Sequence, residues 1–169
     1  SGFSMRLLAD TMGVKTASLY NHIENMDTLL TEVCRYALRM QEDGELRAIA
    51  GKTGREAVWA LAWAYRRFAQ QHRELYWLVM DTAAGEPRVL DDAAARFTEP
   101  LKQVLSGFRL PPGEEIHFRR MFRAIVHGFA SQEDEGFFSH YPASTELSFE
   151  FAIQRFIDCV LEAEKRNPS

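Results

Sequence analysis

Apolar residues recur at spacings of three and four along most of this chain, and alternating runs of β-branched residues do not occur. A spacing of three and four places apolar side chains on one face of an α-helix, whereas a half-buried strand needs a period of two. The pattern therefore predicts an all-α protein in which each helix turns an apolar stripe toward a core.

The first two helices are predicted to be short and separated by a tight turn. Ser4 is a favourable N-cap for the first helix, and Gly13 supplies the left-handed conformation that ends it. Val14 is expected to fill the space beneath this turn. Leu19 and Ile23 lie one helical turn apart, so they are expected to hold the second helix against the first.

A longer third helix is expected to link two domains. Asn25 or Asp27 caps it, and its apolar stripe continues through about Met40. Residues 41–54 are polar and contain three glycines, which predicts a loop between helices.

The middle of the chain predicts three more helices. Large side chains between residues 55 and 80 favour two packed helices with a break near His72. A further helix is predicted over residues 89–105, with Pro100 inside it. The proline pair at 111–112 ends this unit, because proline does not fit a helix interior.

Two strongly amphipathic helices close the chain, over residues 118–129 and 149–161. Two such helices from each of two chains can form a four-helix interface closed by twofold symmetry. Gly128 would allow the helices to approach closely. The expected dimer contacts are Phe118, Ile125, Phe129, Ile153, Phe156, Ile157 and Val160.

Composition narrows the classes of protein. The 169 residues are 46% hydrophobic, which suffices for a real core, and the net charge of −4 does not indicate general binding to polyanions. No long apolar run or signal peptide is present, so no membrane partner is expected and the predicted compartment is the cytoplasm. Cys34 and Cys159 lie far apart in apolar segments and are expected to be buried free thiols.

The stretch "GVKTASLYNHIENMDTLL", residues 13–30, combines a glycine turn with a short helix that carries a polar outer face. A helix, a tight turn and a second helix make a helix-turn-helix, whose second helix lies in the DNA major groove. Small and hydroxylated residues at the start of that helix let backbone N–H groups approach phosphates, and Tyr20 and His22 can reach flanking phosphates.

The longer stretch "SMRLLADTMGVKTASLYNHIENMDTLL" closely resembles the DNA-binding motif of the tetracycline-repressor family, over residues 4–33. The resemblance implies a DNA-binding domain over residues 1–33, with its first helix apparently missing, and a helical ligand-binding and dimerisation domain over 34–169. It implies a DNA-contacting surface made of Arg6, Lys15, Thr16, Ala17, Ser18, Tyr20, Asn21 and His22.

One position departs from the family, which often places a lysine where this chain has Met26 at the start of the third helix. Residues 1–30 carry Arg6 and Lys15 against three carboxylates, a local net charge of −1. We therefore expect modest DNA affinity with a shallow salt dependence.

A second stretch, "FRAIVHGFASQEDEGFF", resembles regulatory domains of a subgroup of that family in which a helix carries an H-G pair. Family resemblance implies a small-molecule pocket among the aromatic residues of the helical domain. Aromatic residues at helical spacing are often simply core, and His127 could be a core or interface histidine. The expected ligand-binding residues are Trp59, Trp63, Tyr76, Phe122 and His127.

No arrangement of residues indicates an enzyme. The chain lacks an HExxH motif, a glycine-rich phosphate loop and a cysteine–histidine signature, so no catalytic residue, metal site or cofactor is expected. The acidic run at residues 131–136 does not have the calcium-loop pattern and is expected to be a solvated helix end.

These observations predict a ligand-responsive transcription factor, a repressor that binds a palindromic operator as a homodimer and releases it when a small apolar or aromatic effector binds. Two alternatives stay open. One is a helical small-molecule binding protein or enzyme in which the N-terminal corner is only structural. The other is a protein-interaction module whose exposed aromatic residues bind a partner chain.

Overall fold

The computed structural model describes residues 4–85 and 91–167, with side chains described for all of these except 83–85 and 91–97. Regular structure in these ranges is entirely helical, which confirms the predicted all-α class. No helix there is long and apolar enough to cross a lipid bilayer. The helices are α1 Met5–Met12, α2 Thr16–Tyr20, α3 Met26–Ile49, α4 Gly54–Gln71, α5 Arg73–Gly85, α6 Asp91–Ser106, α7 Glu115–Asp134, a 3-10 helix Phe137–His140, and α8 Thr145–Lys165.

The first turn forms as the sequence predicts. The Ser4 hydroxyl accepts a hydrogen bond from the Leu7 backbone N–H at 3.2 Å, which caps α1. Gly13 ends the helix with a φ of 68°, in the left-handed region that residues with a Cβ rarely adopt. Met5, Ala9 and Leu19 then form a small core of their own between α1 and α2.

The third helix is longer than predicted, and the expected loop over residues 41–54 is wrong for its first nine residues. Helix α3 runs without interruption from Met26 to Ile49. Residues 41–49 are mostly good helix formers, and Gln41, Glu45 and Ile49 continue the buried stripe of the helix. Because two of these buried residues are polar, a pattern of apolar residues alone does not detect this periodicity.

The main core surrounds α3 and α4. Helix α3 packs against α4, α5 and α6, while α4 also packs against α7 and α8. The predicted break near His72 is confirmed, since α4 ends at Gln71 and α5 begins at Arg73. Pro100 lies inside α6 and is buried, and the proline pair lies between α6 and α7 as predicted. The predicted helical positions Val89 and Leu90 lie outside the described residues.

The most apolar stripes of α7 and α8 face the chain's own core. The expected dimer contacts Phe118, Ile153, Phe156, Ile157 and Val160 are buried in a single chain, so they are unavailable to a partner and this part of the prediction is wrong. Both helices pack against α4 on one side, and that contact buries their most apolar face. Ile125 and Phe129 remain half-buried.

The two cysteines have different surroundings. Cys34 is buried, as predicted, and its Sγ lies 3.3 Å from the Thr82 hydroxyl. Cys159 is exposed on α8, which corrects the expectation of a second buried thiol. It lies next to Val160, which is buried, so the one-residue step carries it to the solvent side of the helix.

Candidate functional site

Helix α2 presents a polar surface to solvent on the side away from its small core. Tyr20 is 54% exposed, and most of the other predicted DNA contacts are exposed with it, while Thr16 is half-buried. The exposed contacts are Arg6, Lys15, Ala17, Ser18, Asn21 and His22. The structure therefore gathers the predicted residues on α2 and its flanks, with Arg6 on α1.

Leu19 holds this surface in place. It is 8% exposed and packs with Met5 and Ala9 of α1, while its carbonyl accepts hydrogen bonds from the N–H groups of His22 at 2.9 Å and Ile23 at 3.0 Å. A single apolar side chain thus anchors α2, and the backbone bonds that follow it turn the chain toward α3.

Val14 does not fill the space beneath the turn as predicted, because it is 41% exposed. Its backbone is nevertheless tied to α1, since the Val14 N–H donates to the Ala9 carbonyl at 3.0 Å. The left-handed Gly13 directs the chain so that the Val14 backbone faces α1 and the side chain faces solvent.

Met26, the position that departs from the family pattern, has a structural role. It is half-buried and packs against the small core together with Leu29. Asn25 caps α3, since its side-chain oxygen accepts from the Thr28 N–H at 2.9 Å. A methionine here adds apolar contact where a lysine would project a positive charge.

A second group of residues lies inside the helical domain. Gln41 and Glu45 of α3 are both buried, and the Gln41 Nε2 donates to the Glu45 carboxylate at 2.8 Å. Burial raises the pKa of Glu45 to about 7, and the Gln41 hydrogen bond and the Arg123 charge oppose that shift. At neutral pH this carboxyl is therefore close to half protonated.

Two tyrosines and a histidine continue this group across three helices. The Tyr65 hydroxyl of α4 lies 3.1 Å from the Tyr76 hydroxyl of α5, which lies 2.5 Å from Nδ1 of His127 on α7. Burial raises the pKa of both tyrosines and lowers the pKa of His127, so all three are neutral at pH 7. Burial also lowers the pKa of Arg123, one turn before His127. We call Gln41, Glu45, Tyr65, Tyr76, Arg123 and His127 the central cluster.

The predicted ligand-binding residues fall in separate places. Tyr76 and His127 meet in the central cluster, whereas Trp63 packs edge-on against Phe149 at 5.3 Å between ring centroids. Phe122 is buried against Phe156. Trp59 is half-buried at the edge of the main core. The aromatic residues thus do not line one shared surface.

Sequence reasoning missed four members of the central cluster. Gln41 and Glu45 stood in the segment predicted to be a loop, and Arg123 looked like part of an ordinary amphipathic helix. Tyr65 belonged to the aromatic residues of the helical domain but was not chosen as a ligand-binding residue. One signal was available for the first two, because a Gln and a Glu four residues apart continue the buried period of α3.

The acidic run at the end of α7 is not a solvated helix end, which corrects the prediction for two of its residues. The buried Arg66 guanidinium donates from Nε to Glu133 at 2.9 Å and pairs with the same carboxylate through a second nitrogen. The Arg66 guanidinium also lies over the rings of Trp63 and Phe149, 5.1 and 4.8 Å from their centroids. Sequence spacing could not show this pairing, since 67 positions separate the two charges.

Asp134 ties the same end of α7 to α5. Its carboxylate accepts from the Trp77 indole N–H at 2.8 Å and from Arg73. The hydrogen bond from Arg73 lowers the pKa of Asp134, so the carboxylate stays ionised at neutral pH. A small groove of about 270 Å³ opens beside these residues, lined by Ala69, Gln70, Arg73, Ala130, Glu133 and Asp134.

A protein-family model described as "Tetracyclin repressor-like, C-terminal domain" matches residues 58–156, which is more than half of the chain. Among curated proteins, the chain is similar to an uncharacterised HTH-type transcriptional regulator of Mycobacterium tuberculosis. The two are 29% identical over 139 residues, which cover 79% of this chain and 62% of that protein. The chain therefore spans less than two thirds of the mycobacterial relative.

A second relative is an uncharacterised HTH-type transcriptional regulator of Bacillus subtilis, 25% identical over 166 residues that cover 95% of this chain and 83% of that protein. Among solved structures, the candidate regulatory protein SCO4313 has a TM-score of 0.77 and 25% identity, covering 92% of this chain and 85% of its own. A Rhodococcus sp. RHA1 protein of unknown function shares the fold, with a TM-score of 0.78, 22% identity, and coverage of 94% and 84%.

Proposed function

Because this chain belongs to the tetracycline-repressor-like family, we propose that it is a transcriptional repressor that binds operator DNA as a homodimer and is released by a small-molecule effector. The family is one of regulators and not of enzymes, in agreement with the expectation from the sequence. The subgroup marked by the H-G pair stays a prediction.

The exposed polar face of α2 is the observation that carries this proposal. Leu19 is the buried residue of this five-residue helix, and Tyr20 is exposed together with Asn21 and His22, which follow the helix. An exposed tyrosine adds little stability to a corner whose role is only structural. Such a short, polar helix fits the width of a major groove. Arg6 and Lys15 supply the positive charge that phosphate contacts need.

Helix α3 provides the physical link between effector and DNA. Its first turn packs on the small core beneath α2, and its fifth and sixth turns carry Gln41 and Glu45 of the central cluster. A continuous helix of 24 residues is about 36 Å long and transmits a shift at one end to the other. An effector that favours one orientation of α3 would change operator affinity by a coupling free energy of roughly 1–3 kcal/mol.

Dimerisation is proposed to use the outer faces of α7 and α8 and not their buried stripes. Leu147 and Phe151 of α8 are each 65% exposed, and Met121 of α7 is exposed too. Open space surrounds the position that a Cβ on Gly128 would take. A partner helix can therefore approach α7 closely at this point.

The DNA-binding proposal is tested by a mobility shift with the full-length protein and the DNA upstream of its own gene, in low salt. Arg6→Ala and Tyr20→Ala should each weaken binding by about 1–3 kcal/mol. Tyr36→Ala, an equally exposed tyrosine on α3, is the matched control and should bind as the wild type does. Absence of any sequence-selective shift contradicts the proposal and favours a helical ligand-binding protein.

The local net charge of −1 over residues 1–30 gives a second test of DNA binding, through its salt dependence. Few cationic side chains stand on the proposed face, so the slope of log affinity against log salt should be shallow, with few counterions released per protomer. Fluorescence anisotropy over a salt series measures this slope. A steep slope would indicate that cationic residues outside this face dominate binding.

The dimer is tested by light scattering coupled to size-exclusion chromatography. Phe151→Glu places a charge on the proposed interface and should shift the protein from dimer to monomer without unfolding it. Phe137→Glu, an exposed phenylalanine outside both long helices, is the control and should leave the dimer intact. A wild-type monomer, or a dimer unaffected by Phe151→Glu, contradicts the proposed interface.

A further inference from the structure

A groove of about 200 Å³ lies between α3 and α4, beside the central cluster, with which it shares Gln41. Small residues leave this space open, since Gly44 and Ala48 of α3 and Ala64 of α4 all line it. Pockets for drug-sized ligands measure roughly 300–1,000 Å³, so this groove has room for a shorter molecule. The proposed function makes no use of it.

Gly44 is an unexpected residue at this place, because it lies inside α3. Its backbone is helical and its φ is not positive, so the conformational freedom of glycine is not needed there. A Cβ at this position would meet no neighbouring atom within 4 Å, so close packing does not require a glycine either. Glycine weakens a helix interior relative to alanine. What Gly44 provides in return is open space in the groove.

Two arginines with unused donors border this space. Arg47 of α3 and Arg67 of α4 both line the groove, and both are exposed. Neither has a hydrogen bond or an ion pair within the part of the chain that the structure describes. Each guanidinium therefore keeps its full set of N–H donors for a ligand, in the planar arrangement that matches carboxylate and phosphate oxygens.

The directions of α3 and α4 incline these two arginines toward each other. The helices are joined by residues 50–53 and pack against one another, so they run in opposite directions. The Cα–Cβ bond of a helical residue tilts toward the N-terminus of its own helix. Arg47, near the connection, therefore tilts away from it, and Arg67, farther along α4, tilts toward it. Two guanidinium groups placed in this way can share one oxyanion.

The acidic residues of this part of α3 do not enter the groove. Glu42 and Asp43 directly precede Gly44 but do not line the groove, and Asp43 is exposed to solvent, which screens its charge. Glu45 is buried and accepts a hydrogen bond from Gln41. Among the described residues that line the groove, an anion would thus meet cationic donors and no carboxylate.

The groove also offers apolar contact beside its arginines. Met40 is half-buried, Phe68 is buried, and both line it. The methyl groups of Ala48 and Ala64 add to this surface. The His72 ring lines the groove as well, 5.1 Å from the Phe68 ring between centroids. A short chain can therefore lie along the groove while its charged end reaches the arginines.

We propose that this groove binds a small organic oxyanion with a short alkyl chain, a carboxylate or a phosphate monoester, whose charged end is held by Arg47 and Arg67. Because the two arginines belong to different helices, the bound anion ties α3 to α4. This binding does not rest on the proposed function. Its consequence does, since a ligand that fixes α3 against α4 constrains the helix that reaches the DNA-binding unit, and so changes operator affinity.

Hexanoate and hexanamide test this inference, because they share their chain and differ in charge. An NMR titration of the isotope-labelled full chain should show hexanoate binding at least about tenfold more tightly than hexanamide, the scale of one hydrogen bond to a charged group. The Gly44 and Ala48 amide signals should shift. Equal affinity for the two probes, or no shift of these signals at millimolar hexanoate or hexyl phosphate, overturns the inference.

Two further probes define the ligand. Hexyl phosphate distinguishes the two oxyanions, since the tighter of hexanoate and hexyl phosphate identifies the charged group that the groove prefers. Acetate has the charge without the chain and should bind at least about tenfold more weakly than hexanoate, because it loses several buried CH₂ groups. Acetate that binds as tightly as hexanoate overturns the role of the apolar surface.

Variants place the ligand in the groove. Arg67→Met should weaken hexanoate at least about tenfold and leave hexanamide unchanged, while Arg120→Met, at an exposed position on α7, should change neither. An Arg67→Met protein that binds hexanoate as the wild type does, or that loses both probes equally, overturns the role of the arginines.

Gly44→Leu fills the groove and should abolish hexanoate binding. Leucine is a better helix former than glycine and its Cβ meets open space, so this variant should unfold at the wild-type temperature or above it. A folded Gly44→Leu protein with wild-type affinity for hexanoate overturns the location. If this variant does not fold, Arg67→Met decides the question.

Operator binding is measured with and without hexanoate, so that the two proposals fail separately. A protein that binds hexanoate through Arg67 but shows no sequence-selective DNA shift keeps the anion groove and loses the proposed function. A protein that binds its operator but does not prefer hexanoate to hexanamide keeps the proposed function and loses the groove. Operator affinity that is unchanged by saturating hexanoate overturns the coupling through α3.

Discussion

The two ends of α3 lie in regions that differ in core size and in whether their polar side chains are exposed or buried. At its first turn, a small core that includes Met5, Ala9 and Leu19 supports an exposed polar face. Toward its other end, the main core, with 27 buried residues among those that the structure describes, encloses polar and charged groups such as Glu45 and Arg66. The small unit exposes its polar side chains to solvent, whereas the large domain buries several polar and charged side chains.

Under the proposed function, this difference separates the surface that would recognise DNA from the domain that would respond to an effector. A rigid macromolecule such as DNA is read by an exposed surface that needs only enough apolar support to hold its shape. A small molecule is read by groups that are already desolvated, because electrostatic discrimination is stronger there. The small unit should therefore tolerate surface changes but be sensitive at its single anchor, whereas the large domain should be sensitive at buried apolar and charged positions.

Phe156→Ala should have the largest effect on stability. Phe156 is fully buried and packs edge-on against Phe118 and Phe122, so its loss leaves a cavity that costs about 3–5 kcal/mol. Denaturant unfolding measures the change. Phe137→Ala, at an exposed position, is the control and should be close to neutral. Equal losses of unfolding free energy in the two variants would contradict the proposed difference between core and surface.

Glu45→Gln should remove a pH dependence of stability. The pKa of Glu45 is raised from 4.5 to about 7 in the folded state, so the folded chain holds a proton that the unfolded chain has released. The stability this contributes is fully present below about pH 4.5 and is lost as pH rises through about 7, a change of about 3 kcal/mol.

The comparison is made by unfolding both proteins from pH 5 to pH 8. The advantage of Glu45→Gln over wild type should grow with pH across this range, because glutamine keeps the Gln41 hydrogen-bond partner without the charge. Glu56→Gln, on the exposed side of α4, should track the wild type. An advantage that does not change with pH would mean that Glu45 is not the titrating group.

Leu19→Ala should destabilise the small unit by about 2–3 kcal/mol, toward the lower end of large-to-small substitutions because so few residues surround it. Hydrogen exchange should show faster opening of α1 and α2 while protection in α4, α7 and α8 is unchanged. Leu7→Ala, at an exposed position on α1, is the control. Loss of protection throughout the chain would show that the two cores unfold together.

Tyr20→Ala should have the smallest effect on stability, within about 0.5 kcal/mol, because more than half of the side chain is already in solvent. Its effect on DNA binding should be much larger than its effect on unfolding. Measuring both quantities on one preparation sharpens the contrast with Leu19, whose substitution should affect DNA binding through the fold. A marked destabilisation by Tyr20→Ala would indicate a structural role instead.

Much of the fold could be predicted from local signals. The caps at Ser4 and Asn25, the turn at Gly13 and the break at His72 are properties of a few neighbouring residues, and the structure contains each of them. The exposed face of α2 was also predictable, since its polar residues and its anchor belong to the same short helix. The family resemblance at residues 4–33 depended on the same local pattern.

The central cluster could be predicted only in fragments. Tyr76 and His127 were named for their residue types, but their contact joins positions 51 apart in sequence. The apolar stripes of α7 and α8 were identified correctly as buried surfaces and assigned to the wrong neighbour. An apolar stripe indicates that a helix face is covered, and it does not say whether the cover is the same chain or a partner.

By itself the sequence determined the all-α class, the helix-turn-helix and the caps that bound it, because these depend on period, conformational preference and hydrogen bonds between near neighbours. Only the tertiary structure decided that Gln41 and Glu45 are buried, that Arg66 pairs with Glu133, and that Cys159 faces solvent. A polar side chain is buried when distant helices bring it a partner that offsets its desolvation. That compensation arises only when the helices pack.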